Sequence, residues 1–186
     1  MSTLLQLFVK QGITFTNAIL IKQTLTFISE FNSGSIPQEK LDEHRKKLDA
    51  DPKEAEKELS RVLIILGNQI DEIQSKVLGS FYASYVKGAI SWEKFCELTE
   101  ANRRMFISDY ALLFEAAIKG GLKIQGRELY QVDRLISLGL LQNQNRLGGN
   151  VWMEITDNPD KQNDIIVTSL GMTFYHNAPS TLKMDI

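Results

Sequence analysis

Residues 51–88, DPKEAEKELSRVLIILGNQIDEIQSKVLGSFYASYVKG, carry the pattern that decides the fold class. Asp51 stands where a helix is capped, Pro52 takes the first helical position, and Glu54 sets negative charge near the positive end of the helix dipole. Leu59, Val62, Leu63, Leu66, Ile70, Ile73, Val77, Leu78, Phe81 and Tyr85 then recur at three- and four-residue spacing, the period of an amphipathic helix. No proline follows before Pro159, so the pattern predicts one helix to Lys87, about 54 Å if straight, with Gly88 as its C-terminal glycine. Gly67 and Gly79 inside it each cost about 1 kcal/mol against alanine and mark a close helix approach or a bend. Ile64, Ile65 and Tyr82 add apolar groups outside a single face, so this helix has to be covered on most sides, by the N-terminal helix or by another subunit.

On the N-terminal side, residues 4–31 read as one apolar helix, stopped by Asn32-Ser33-Gly34. Ser35 is a candidate cap for a short, highly charged helix over 36–49, with Pro37 in its first turn and Gln38 at the capping-box position. On the C-terminal side, Ser91 opens a helix with a broad apolar face that Gly120-Gly121 ends. The two long helices are expected to pack as an antiparallel hairpin, giving a mainly α bundle domain over 1–118. After Gly121 the pattern shortens. A helix over 128–138 ends at Gly139, and Leu140-Leu141-Gln142 begins a strand. Residues 151–156 and Ile165-Ile166-Val167 read as further strands, separated by the turn residues Asp157-Asn158-Pro159-Asp160. Thr168 or Ser169 opens a last helical turn, and the chain from Asn177 reads as frayed. The expectation for 119–186 is a small α+β domain.

Composition narrows the function. The chain has 186 residues, 43% of them hydrophobic, which is enough for a core in one domain or two small ones. With 21 basic against 23 acidic residues, the simplest argument for nucleic-acid or membrane-surface binding is missing. One cysteine excludes a disulfide framework and a cysteine-based zinc cluster. Lys10 and Lys22 bound an apolar run too short to span a membrane, where about 20 residues are needed. Neither a basic leader nor a small-residue cleavage site accompanies that run, so the expected location is the cytoplasm, with no integral membrane segment.

The stretches LISLGLL (135–141) and VTSLGMTFY (167–175) resemble the second half of a winged-helix domain. The matching positions are Leu135, Gly139, Leu140 and Leu141, then Thr168, Gly171 and Phe174. The resemblance covers roughly 105–176 and implies a β-wing between the two stretches. Its first two helices would come from the end of the 91–118 helix and from residues 122–127. LTFISEFNSGSIPQEKL (25–41) and YVKGAISWEKFCELTE (85–100) resemble segments of uncharacterised bacterial and prophage proteins, among them the Abi-alpha type. That resemblance implies a phage-related setting rather than a chemistry.

A DNA-reading winged helix has to neutralise phosphates. From residue 119 onward the chain carries seven basic and seven acidic side chains, so a protein-contacting role is favoured. The candidate contacts are Gln131 and Arg134 on the 128–138 helix, Arg146 in the wing, and the Arg103-Arg104 pair, which with Asp109 can form a buried or interfacial ion pair. The alternative for Arg134 is a surface ion pair with a nearby carboxylate, for Arg146 a solvated loop charge, and for Arg103-Arg104 a solvated helix face, which is the favoured reading there. No catalytic constellation is visible. His44 and His176 read as solvent-exposed and lie far from metal spacing, Cys96 has Glu93 and Glu97 near it, and neither glycine pair has phosphate-loop context. Asp71-Glu72 point apart on a helix and form a poor acid–base pair. The sequence therefore points to a non-enzymatic protein that needs no cofactor or metal. It would contact a protein partner or a second copy of itself, and the alternative is a winged-helix DNA-binding regulator.

Overall fold

The computed structural model describes residues 18–69, 71–144 and 164–184. The fold is mainly α: nine helices among the described residues, and one two-stranded antiparallel sheet near the C-terminus. Its contacts divide the chain into two compact units, 1–104 and 105–186. The division falls before the helix that opens at Ile107, whereas the sequence pattern places it after that helix.

The first unit contains α1 (Ala18–Ser33), α2 (Gln38–Ala50), α3 (Pro52–Gly67), α4 (Glu72–Val86) and α5 (Trp92–Arg103). The single helix expected over 52–87 is two helices. Asn68 caps the first, its Nδ2 donating to the Ile64 carbonyl at 2.7 Å, and Asp71 caps the second by accepting the Gln74 N–H at 3.0 Å. Asp71-x-x-Gln74 is itself a capping signal, outweighed in the sequence by the unbroken apolar period. The first part of the helix expected over 4–31 lies outside the described residues. At the start of α2 the Ser35 cap does not form. Pro37 occupies the cap position with no side-chain bond, Ser35 sits at φ +49°, and Gln38 bonds Asp42 instead. The caps at Asp51 and Ser91 form as the sequence predicts, and Gly88 adopts the left-handed conformation at φ +77°.

Breaking the long helix changes what α4 packs against. Lys22 pairs with Glu72, the Phe27 carbonyl approaches Gly79, and Gly34 lies beside Ala83, so α1 and α4 run parallel in close contact. A Cβ on Gly79 would stand 2.5 Å from the Phe27 oxygen, so here the glycine answers a close approach. Gly67 has nothing within 4 Å of such a Cβ and simply ends α3. The expected antiparallel hairpin survives in shortened form. Gln74 and Asn102 exchange side-chain-to-backbone bonds at 3.0 and 3.3 Å, while Tyr82 meets Phe95 and Tyr85 meets Trp92, which sets α4 antiparallel to α5. Phe27, Phe81, Tyr82 and Phe95 fill the centre with almost no exposure, each worth about 1.5–3 kcal/mol of burial.

The second unit contains α6 (Ile107–Lys119), α7 (Leu129–Ser137), β1 (Leu141–Asn143), β2 (Ile165–Val167), α8 (Ser169–Asn177) and α9 (Ser180–Met184). The helix expected over 91–118 is broken as well: α5 ends at Arg103 with Arg104 as its cap, and the Asp109 carboxylate takes the Phe106 N–H at 2.7 Å to open α6. Leu141 pairs with Val167 and Asn143 with Ile165, and Leu122 bridges to Ile165 on the other side. Gly139 turns α7 into β1 at φ +71°. Thr168 caps α8 through the Gly171 N–H and donates to the Gly139 carbonyl at 2.6 Å. A Cβ on Gly171 would stand 2.1 Å from the Leu140 oxygen, so glycine is required for this crossing. The end expected to fray after Asn177 carries α9, with Ala178 buried. The strand read over 151–156, its turn and the wing lie outside the described residues.

Candidate functional site

The basic residues singled out in the sequence separate into the two units. Arg103 forms a two-pronged pair with Glu100 at 2.8 and 3.1 Å on the exposed side of α5, and Arg104 is the exposed C-cap of that helix. Neither holds Asp109. That carboxylate is fully buried and takes Arg134 instead, Nε to Oδ2 at 2.8 Å and an Nη nitrogen to Oδ1 at 3.1 Å. Spacing along α5 and α6 favours Arg103 or Arg104; the fold brings α7 to the carboxylate instead. Gln131 lies one turn before Arg134 on α7 and is half-buried. Arg146 lies outside the described residues.

Arg134 is the centre of a surface. Its guanidinium carbon lies 4.6 Å from the Phe106 ring centroid and 5.6 Å from that of Tyr130, within cation–π range. Phe106 is 51% exposed and Tyr130 60%. Their chain neighbours Ile107 and Leu129 are also more than half exposed. The Asp109 fork holds the guanidinium from one side, and both rings lie against it. In the same unit, Arg127 pairs with Glu115 at 2.6 and 2.7 Å and Lys119 joins the same carboxylate at 2.7 Å. The hydrogen bonds from Arg127 and Lys119 pull the Glu115 carboxyl down to about 2. The cations of this unit whose pairing is described are thus largely committed to its own carboxylates.

The first unit holds a polar cluster that sequence reasoning missed. Glu58 on α3 is buried, and its two oxygens accept four donors or near contacts. Tyr82 Oη donates at 2.8 Å and Tyr85 Oη at 3.0 Å, Lys47 Nζ at 3.3 Å, and His44 Nε2 lies 3.3 Å away. His44 also stands 3.1 Å from the Tyr82 hydroxyl and edge-on to both tyrosine rings. The reading of His44 as solvent-exposed is therefore corrected: its side chain is 10% exposed, because α2 turns it toward α3 and α4. Burial alone would raise the Glu58 carboxyl, but hydrogen bonds from His44 and Tyr82 and the Lys47 charge outweigh it and hold the group below the usual range. Burial, reinforced by the Glu58 charge, pushes Tyr82 well up. The spacing of His44 and Lys47 on one face of α2 was the available signal, hidden among that helix's other charges.

Burial raises the Cys96 thiol, which keeps it neutral. Asp71 is spent as a cap and Glu72 on Lys22, so the two do not converge. Among the described residues, no group of three or more His, Cys, Asp or Glu is placed to hold a metal ion, and no helix is long and apolar enough to cross a membrane. Comparison of the chain with protein-family models, with curated proteins and with solved structures finds no match.

Proposed function

We propose that this is a non-enzymatic interaction protein that works through its surfaces, by binding a protein partner or a second copy of itself. The observation that carries the reading is the Phe106–Arg134–Tyr130 stack on the second unit, with Ile107 and Leu129 beside it in the chain. Aromatic and arginine side chains dominate the energetics of protein interfaces, and a guanidinium already locked by a buried carboxylate loses little further freedom on binding. The order of helix, strand, strand and helix in this unit is compatible with a winged-helix-like end that contacts protein. A DNA-reading role is less well supported, because Arg134 has given both prongs of its fork to Asp109. The phage-related setting belongs to the same proposal.

Light scattering of the 21.1 kDa chain at micromolar concentration, beside affinity capture from its native cells, tests the reading. The expected result is a mass above the monomer or one reproducible protein partner, lost when Leu129→Asp and Tyr130→Ser are combined. These side chains are exposed, so the variant should fold. A monomeric wild type whose captured proteins match those of the variant sinks the proposal. Duplex DNA binding at about 50 mM salt that falls steeply as salt rises would favour the regulator instead.

A further inference from the structure

A concavity of the first unit lies between the C-terminal half of α2, the outer side of α3 and Trp92, and encloses about 490 Å³. That is within the range of small-molecule sites. Leu48 and Ala55, both buried, supply apolar surface, and half-buried Trp92 supplies an indole. Three cations and three carboxylates also line it, and their pairing decides what remains for a ligand. Asp51 Oδ1 accepts the N–H groups of Lys53 and Glu54. Glu54 holds Lys57 at 2.8 Å, and Glu58 holds Lys47. Arg61 is left, exposed, with no ion pair to a described residue.

The groove thus offers one unspent guanidinium, one indole and apolar surface. A guanidinium matches a carboxylate as a two-pronged fork, and an indole offers a flat apolar face to a ring. Asp51, Glu54 and Glu58 around the same space weigh against a dianion such as a phosphate monoester, whose second charge would find no partner. We propose that this groove binds a small aromatic carboxylic acid, its carboxylate on Arg61 and its ring against Trp92 and the Leu48–Ala55 surface. The site is separate from the surface around Arg134 and does not depend on that reading.

The test is a nitrogen-15 NMR titration of the full chain with 1-naphthoate, beside the uncharged 1-naphthalenemethanol. Saturable shifts are expected at the Leu48, Ala55 and Arg61 amides and at the Trp92 indole. The alcohol should bind about tenfold more weakly, the scale of one lost charge-assisted contact. Arg61→Gln should lower naphthoate to the level of the alcohol, while Arg103→Gln, which removes a cation already paired with Glu100, should leave it unchanged. Arg61 is exposed, so overlay of the variant's unliganded spectrum on that of the wild type checks its fold. Three results each overturn the proposal: no saturable shift at these residues up to about 5 mM naphthoate, equal binding of acid and alcohol, or full naphthoate affinity in Arg61→Gln.

Discussion

Two glycines in the same apolar stretch should respond to alanine with opposite sign. At Gly79 the added Cβ would meet the Phe27 carbonyl oxygen at 2.5 Å, the Phe27 carbonyl carbon at 3.3 Å and Glu30 Cβ at 3.1 Å. The closest of these is backbone, so no side chain can swing away. α1 and α4 have to part by roughly 1 Å to restore a normal contact distance. Phe27 and Tyr82, which touch across this seam, then lose part of their packing. Overpacking of this kind costs about 1–3 kcal/mol, and a rigid obstacle puts it near the top of that range. Alanine returns about 1 kcal/mol of helix propensity, which leaves a net loss of about 2 kcal/mol. At Gly67 no atom lies within 4 Å of the new Cβ and only the propensity gain operates, reduced by the position at the last residue of α3. The expected gain is about 0.5 kcal/mol. Urea denaturation followed by circular dichroism reads both as shifts in midpoint at unchanged slope. A Gly79→Ala protein at least as stable as the wild type would refute the close parallel seating of α1 on α4. A Gly67→Ala protein losing more than about 1 kcal/mol would refute the open end assigned to α3.

Two further outcomes follow from the buried carboxylates. Arg134→Ala leaves Asp109 buried without its partner and should cost about 3 kcal/mol, whereas the double change with Asp109→Asn should cost much less than the sum of the singles. A coupling energy below about 0.5 kcal/mol in the full cycle would contradict the fork. Glu58 has its carboxyl held below the usual value of 4.5, so its contribution is present above that pH and is lost as pH falls through the lowered value. Glu58→Gln should therefore destabilise by about 2 kcal/mol at pH 7, with the gap to the wild type closing as pH falls below 4.5. Hydrogen exchange should show the loss first in α2, which is tied to α3 and α4 through His44 and Lys47 and buries only Leu48. Parallel stability curves for the two proteins from pH 7 to pH 3 would count against Glu58 as the anchor.

What the chain alone determined is local. Asp51-Pro52, Ser91, Gly88 and Gly120 each act within a few residues through their own backbone geometry, and each appears where the sequence places it. Three- and four-residue periodicity likewise gave the helical class, because burial of one face is a property of a single segment. The interruptions at 68–71 and 104–106 contain neither proline nor glycine. They depend on side chains reaching back to the backbone, Asn68 to Ile64 and Asp109 to Phe106, and an apolar period that runs through them outweighs the Gly67 and Asp71 signals beside the first. Partner choice was decided only by the tertiary structure. Asp109 pairs with an arginine 25 positions along the chain in preference to the two nearby, and Glu58 gathers donors from two other helices. A charge on a helix carries no record of which neighbour will approach it; packing against α7 or α2 supplies the distance, excludes the water and so sets the strength of the pair.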